Sequence, residues 1–60
     1  MTGRLLRLEE VAEILAVSRR HLAFLMARGD GPPVVRLGGR VLVRPESLAA
    51  WLDERESRAA

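Results

Sequence analysis

Neither cysteine nor lysine occurs in this chain of 60 residues, and histidine occurs once. Without cysteine there is no disulfide and no thiolate metal site, and one histidine is too few ligands for zinc, so two common reinforcements of a small core are excluded. Also missing is any apolar run approaching the roughly 20 residues that span a bilayer. The start of the sequence carries no apolar stretch of the kind a secretory signal needs. The expectation is therefore a soluble, cytoplasmic protein with no membrane partner. A chain this short buries only about 60% of its unfolded surface, which leaves little spare structure for an active site. Stability must come from packing, or from a partner that binds only the folded state.

What is present points to a folded binding module. Apolar residues make up 48% of the chain and fall in short periodic runs separated by glycine and proline, which is too much for a disordered chain. Every basic side chain except the histidine is arginine. Arginine suits phosphate and guanine because its planar fork donates two parallel hydrogen bonds, although a GC-rich genome would also favour it over lysine. Placement is more informative than type. The acids gather at Glu9, Glu10 and Glu13 and again in the stretch 53–56, whereas residues 19–44 hold six arginines and one acid, Asp30. The middle of the chain is a basic face.

Along the chain, residues 8–15 (LEEVAEIL) place Leu8, Val11, Ala12 and Leu15 at helical spacing, with Glu9 and Glu10 in the first turn where the helix dipole favours anions. Arg7 stands where a capping Ser or Thr would be preferred, so the start is poorly marked. After a short break at Ala16 and Val17, the Ser18 hydroxyl can cap a second helix running from residue 19 to about 28, which Gly29 ends. Leu22, Leu25 and Met26 form its apolar side. Two helices joined by so tight a turn must cross steeply, as in a helix-turn-helix. Beyond Asp30, Gly31, Pro32 and Pro33 come two β-branched runs, 34–37 and 40–43, around a Gly38-Gly39 hairpin signal. Pro45 suits the first position of a third helix through about residue 54, with Leu48, Trp51 and Leu52 inward. The tail 55–60 has no apolar anchor and is expected to fray. The fold class expected is α+β, mainly helical: one winged helix-turn-helix domain over 1–60, ordered from about 5 to 54, with a two-stranded hairpin wing and a C-terminal helix.

In such a fold the N-terminal end of the second helix lies closest to base edges in the major groove. Ser18, Arg19 and Arg20 occupy that end, where either arginine can grip guanine or phosphate. His21 can donate to a phosphate or cap a neighbour. Phe24, one turn after Arg20, either packs beneath the wing or touches thymine methyls or a neighbouring subunit. Arg28 can contact DNA or satisfy carbonyls at the helix end. Arg36 and Arg40 flank the glycine turn and Arg44 follows the second strand, a grouping suited to phosphate or minor-groove contact. Catalysis finds no support: the glutamates fit a solvated helix face, His21 has no nucleophile or paired acid in a recognisable motif, and Gly38-Gly39 is not followed by the Gly-Lys-Ser/Thr of a phosphate loop. No cofactor, metal or small-molecule ligand is expected.

In this order, the segments LEEVAEILAVSRRHLAFLMARGD, VRLGGR and RPESLAAWL resemble the excisionase and AlpA-like branch of the MerR-type winged helix-turn-helix proteins, over residues 6–52. The resemblance implies that the helix beginning after Ser18 enters the major groove and that Ser18, Arg19, Arg20, Arg36 and Arg40 stand at DNA-contacting positions. Arg7 and Phe24 depart from the family's pattern, standing where a capping residue and a polar or basic residue are usual. MerR regulators continue into a dimerisation helix and an effector domain, whereas this sequence stops after the third helix. The function implied is that of a phage or plasmid excisionase. It would bind double-stranded attachment-site DNA, associate with further copies of itself there, bend the duplex and assist an integrase. An arginine-rich composition would suit a phage of a high-GC host. An AlpA-like transcriptional regulator and a protein–protein module that leaves DNA untouched are the alternatives.

Overall fold

In a computed structural model, which describes residues 4–59 and side chains through residue 56, the elements run β1 (Leu6–Arg7), α1 (Leu8–Leu15), α2 (Arg19–Ala27), β2 (Val35–Leu37), β3 (Arg40–Val43) and α3 (Pro45–Ala59). The class is α+β and mainly helical, as expected from the sequence. Local chemistry sets most of the boundaries. Arg7 cannot accept a hydrogen bond from the first turn of α1, but its own backbone N–H donates to Glu10 Oε1 at 2.8 Å, the returning half of a capping box. Ser18 Oγ accepts the His21 N–H at 3.0 Å and starts α2.

Both helices of the pair end in the same way. Gly29, at φ +80, sends its N–H to the Met26 carbonyl at 3.1 Å, and the following Asp30 N–H reaches Leu25 at 2.9 Å. This double closure is a Schellman motif. Ala16 repeats it at the end of α1: its N–H bonds Glu13 at 3.1 Å, Val17 bonds Ala12 at 3.0 Å, and Ala16 itself adopts φ +60. A β-carbon in the left-handed region is strained by about 1–2 kcal/mol, so Ala16→Gly should stabilise the domain by about 1 kcal/mol. In a chain of this size that is roughly 4–8 °C in Tm. Thermal unfolding followed by circular dichroism checks it, and an unchanged or lower Tm would mean that the left-handed turn is not the strained point.

The expected hairpin is present, but the sheet has a third strand that the sequence did not announce. β1 pairs antiparallel with β3, Leu6 opposite Val43 and Arg7 opposite Leu42, so β3 is central between β1 and β2. Two residues are too few to show a period-two pattern, and only β3 makes them a strand. At the tip Gly38 has φ +59 while Gly39 stays outside the positive region, the sign pattern of a type II′ turn with glycine first.

Val11, Ala12, Leu22, Val43 and Leu48 form the buried core, with Leu6, Leu8, Leu15, Val17, Met26, Val34 and Trp51 packed around it. The sheet therefore meets the helices through the face holding Leu6, Val34 and Val43. Two features of α3 differ from expectation. Leu52 is 38% exposed and is not part of the inward stripe, because so small a partner surface covers only the row of Leu48 and Trp51. The helix also continues through Ala59 where a frayed tail was expected; Ala60 lies outside the described residues. No glycine or proline interrupts that stretch, and Arg55 supplies an anchor. Its Nη2 donates to the Asp30 carbonyl at 2.6 Å while its guanidinium lies 4.5 Å from the Trp51 ring centroid. The tail of α3 is thus tied to the loop that ends α2.

Candidate nucleic-acid interface

The N-terminus of α2 is a capped helix start at the surface. Ser18 is committed as its cap, which orients the first turn and leaves Arg19 and Arg20 exposed at its mouth. Leu22 turns inward and is fully buried, fixing the opposite side of the helix to the core. The outer side carries Arg20, His21, Phe24 and Arg28 at spacings of three and four residues, which makes one continuous face. Phe24 does not pack beneath the wing. It is 54% exposed, with the Arg28 guanidinium 5.3 Å from its ring centroid and the His21 ring 6.4 Å away.

The wing arginines separate more than their closeness in sequence suggests. The register places Arg36 opposite Val41 and Arg40 opposite Leu37. Residues directly opposite share a face and neighbours alternate, so Arg36 and Arg40 project from opposite faces of the hairpin. Arg44 is at the base of the wing, where its carbonyl accepts the Leu48 N–H at 3.0 Å and its side chain stands 4.0 Å from Glu46. The expected cluster of three is really two at the tip and one near the joint with α3.

Folding also gathers residues that the sequence had not connected. An open groove of about 350 Å³ runs between the wing and the starts of α1 and α2, lined by Arg7, Glu9, Arg19 and Arg40 among others. Arg7, noticed in the sequence only as a poor cap, faces this groove because β1 pairs with β3 and puts it on the same sheet face as Arg40. No local signal could reveal that. Glu9 is the one acid in the groove, 3.8 Å from Arg19.

Ion pairing sorts the arginines further. Arg19, Arg28 and Arg44 each stand within 4.0 Å of a carboxylate, whereas among the described residues Arg20, Arg36 and Arg40 have none. The existing pairs are exposed, and such pairs are worth only about 0–1 kcal/mol. They yield readily to a competing anion with better geometry. A capped helix start, a basic face alongside it and a projecting hairpin make a surface suited to a polyanion with a groove. Among the described residues, no helix is long and apolar enough to cross a membrane.

No curated protein and no solved structure matches the chain significantly. A family model described as a helix-turn-helix domain does match, over residues 5–56 and so across nearly all the elements above; that family includes excisionase-like proteins. The chain belongs to this helix-turn-helix domain family.

Proposed function

We propose that the chain binds double-stranded DNA sequence-specifically, with α2 in the major groove and the β2–β3 wing on the neighbouring backbone or minor groove. The observation that carries this is the Ser18-capped start of α2, where Arg19 and Arg20 stand exposed and Arg19 faces Arg40 across a groove. Arg20 and Arg19 are the base-edge candidates, since N-terminal residues of a recognition helix come nearest the bases. His21, Phe24 and Arg28 continue that face. Arg36, Arg40 and Arg44 address phosphates, and the two-faced wing tip lets Arg36 and Arg40 reach opposite walls of a groove. The role is binding without catalysis. Ser18 Oγ has a structural task there, accepting the His21 backbone N–H as the cap of α2.

Within the family we place the chain in the excisionase-like, MerR-type branch, acting inside a bacterial host on attachment-site DNA beside an integrase. The support is economy of surface. A module with one short helix and one wing buries on the order of 600–1,000 Å² of protein on DNA, at the low end for specific binding. A neighbouring copy held by the same duplex raises the effective concentration without new structure. Bending adds contact at an elastic cost of roughly 1–6 kcal/mol. Cooperative filling and a bend are therefore expected on DNA carrying two or three adjacent sites, by footprinting and by mobility shifts on circularly permuted fragments. Independent filling of straight DNA would favour an operator-binding, AlpA-like regulator instead.

A further inference from the structure

An aromatic ring in the middle of a cationic reading face needs its own account. Leu22 and Met26 show where α2 meets the core, and Phe24 is turned away from both. Its ring has the Arg28 guanidinium 5.3 Å from its centroid and the His21 imidazole, inclined by 28°, at 6.4 Å. One turn earlier stands Arg20, without a carboxylate partner among the described residues. α2 carries no acid at all. The ring is thus an apolar plate framed by positive charge, and the frame suits a phosphate-lined groove far better than a basic or neutral protein surface.

Inside the major groove nearly every base edge offers a hydrogen-bond donor or acceptor, which a phenyl ring leaves unpaired. The exception is the C5 methyl of thymine. We propose that Phe24 is a specificity-determining residue that packs on the C5 methyl of a thymine facing the middle of α2, an inference that rests on the duplex-DNA reading above. Arg20 and Arg28 then hold the flanking base edge and backbone, and their charge makes the apolar contact strand-specific by fixing where the helix sits.

The test begins with duplexes selected by the intact chain from a random pool. The selected site is remade with deoxyuridine, which lacks only the methyl group, in place of each thymine in turn, and affinities are measured by fluorescence anisotropy. The expected result is a loss of about fourfold at one or two thymines and none elsewhere, the effect of withdrawing about one buried methyl group. Phe24→Ala should bind thymine and deoxyuridine versions equally, Phe24→Leu should keep part of the difference, and the salt dependence should be the same for all three proteins because no charge changes. Uniform indifference to deoxyuridine overturns the proposal, as does a difference that persists in Phe24→Ala. If Phe24→Ala instead abolishes cooperativity between adjacent sites, the ring contacts a second copy and the proposal fails. Should Phe24→Ala fail to fold, Phe24→Leu decides in its place: a deoxyuridine loss smaller than that of the unaltered chain supports the proposal, and an equal loss overturns it. A failure of the underlying reading looks different, because then no duplex is enriched from the pool.

Discussion

Affinity for duplex DNA is expected to fall on the order of a hundredfold as salt rises from about 50 to 200 mM, because each phosphate neutralised by an arginine releases condensed counterions and contributes a log–log slope of about −0.9. Four phosphate contacts, from Arg28, Arg36, Arg40 and Arg44, give that magnitude. The structure sharpens the expectation. Arg36 and Arg40 carry no carboxylate partner among the described residues, while Arg28 must first leave Asp30 at 3.3 Å and Arg44 must leave Glu46 at 4.0 Å. Arg40→Ala should reduce the slope by about 1 and weaken cognate and scrambled duplexes alike. Arg20→Ala should cost about 1–3 kcal/mol on the cognate site and relax sequence preference. A titration of each protein across salt concentrations on both duplexes separates the two roles. Salt-independent binding, or none to any duplex, would refute the DNA reading, and equal losses on both duplexes for Arg20→Ala would remove it from base recognition.

The largest effect on stability should come from Leu22→Ala. Leu22 is fully buried among Val11, Val43 and Leu48, so it joins α2 to α1, to the sheet and to α3 at one point. Truncating a buried leucine to alanine costs about 2–5 kcal/mol through lost transfer energy and a residual cavity. A single core in a domain below about 70 residues supplies only about 3–5 kcal/mol in total. The variant should therefore be largely unfolded at 37 °C, and excess duplex should partly restore it because DNA binds only the folded state. Phe24→Ala, two positions along the same helix, should stay within about 0.5 kcal/mol of the parent, as exposed substitutions do. Parallel thermal melts give both values. A Leu22→Ala melt close to the parent would contradict the packing described here.

Much of this molecule was legible without coordinates, and the legible part has a common cause. Ser18 as a cap, Gly29 as a left-handed stop and Gly38 at the hairpin tip all act through backbone hydrogen bonds that close within a few residues, so sequence neighbours suffice to specify them. The inward rows Leu8, Val11, Ala12 and Leu15 in α1 and Leu22 with Met26 in α2 follow from helical periodicity alone, whereas Leu25, expected on the same side, is half-buried at its edge and does not join the core. The basic character of the middle segment is a matter of composition. These features determined the helix pair, the wing, the order of elements and the residue types available to a nucleic acid.

Tertiary structure decided what depends on distant segments meeting. Leu6 and Arg7 became a strand only by pairing with Val43 and Leu42, and that pairing carried Arg7 into the groove with Arg40. The register of β2 on β3 set Arg36 and Arg40 on opposite faces, because a shift of one residue would exchange the faces of a strand. Ala16 accepted a left-handed turn that favours glycine because Val17 had to pack on the core immediately after it. Arg55 kept α3 helical past its apolar stripe by reaching a carbonyl 25 residues earlier in the chain. Each of these rests on closing a loop between remote residues, and the pattern of any single segment carries no record of which distant partner will fill the other half of the contact.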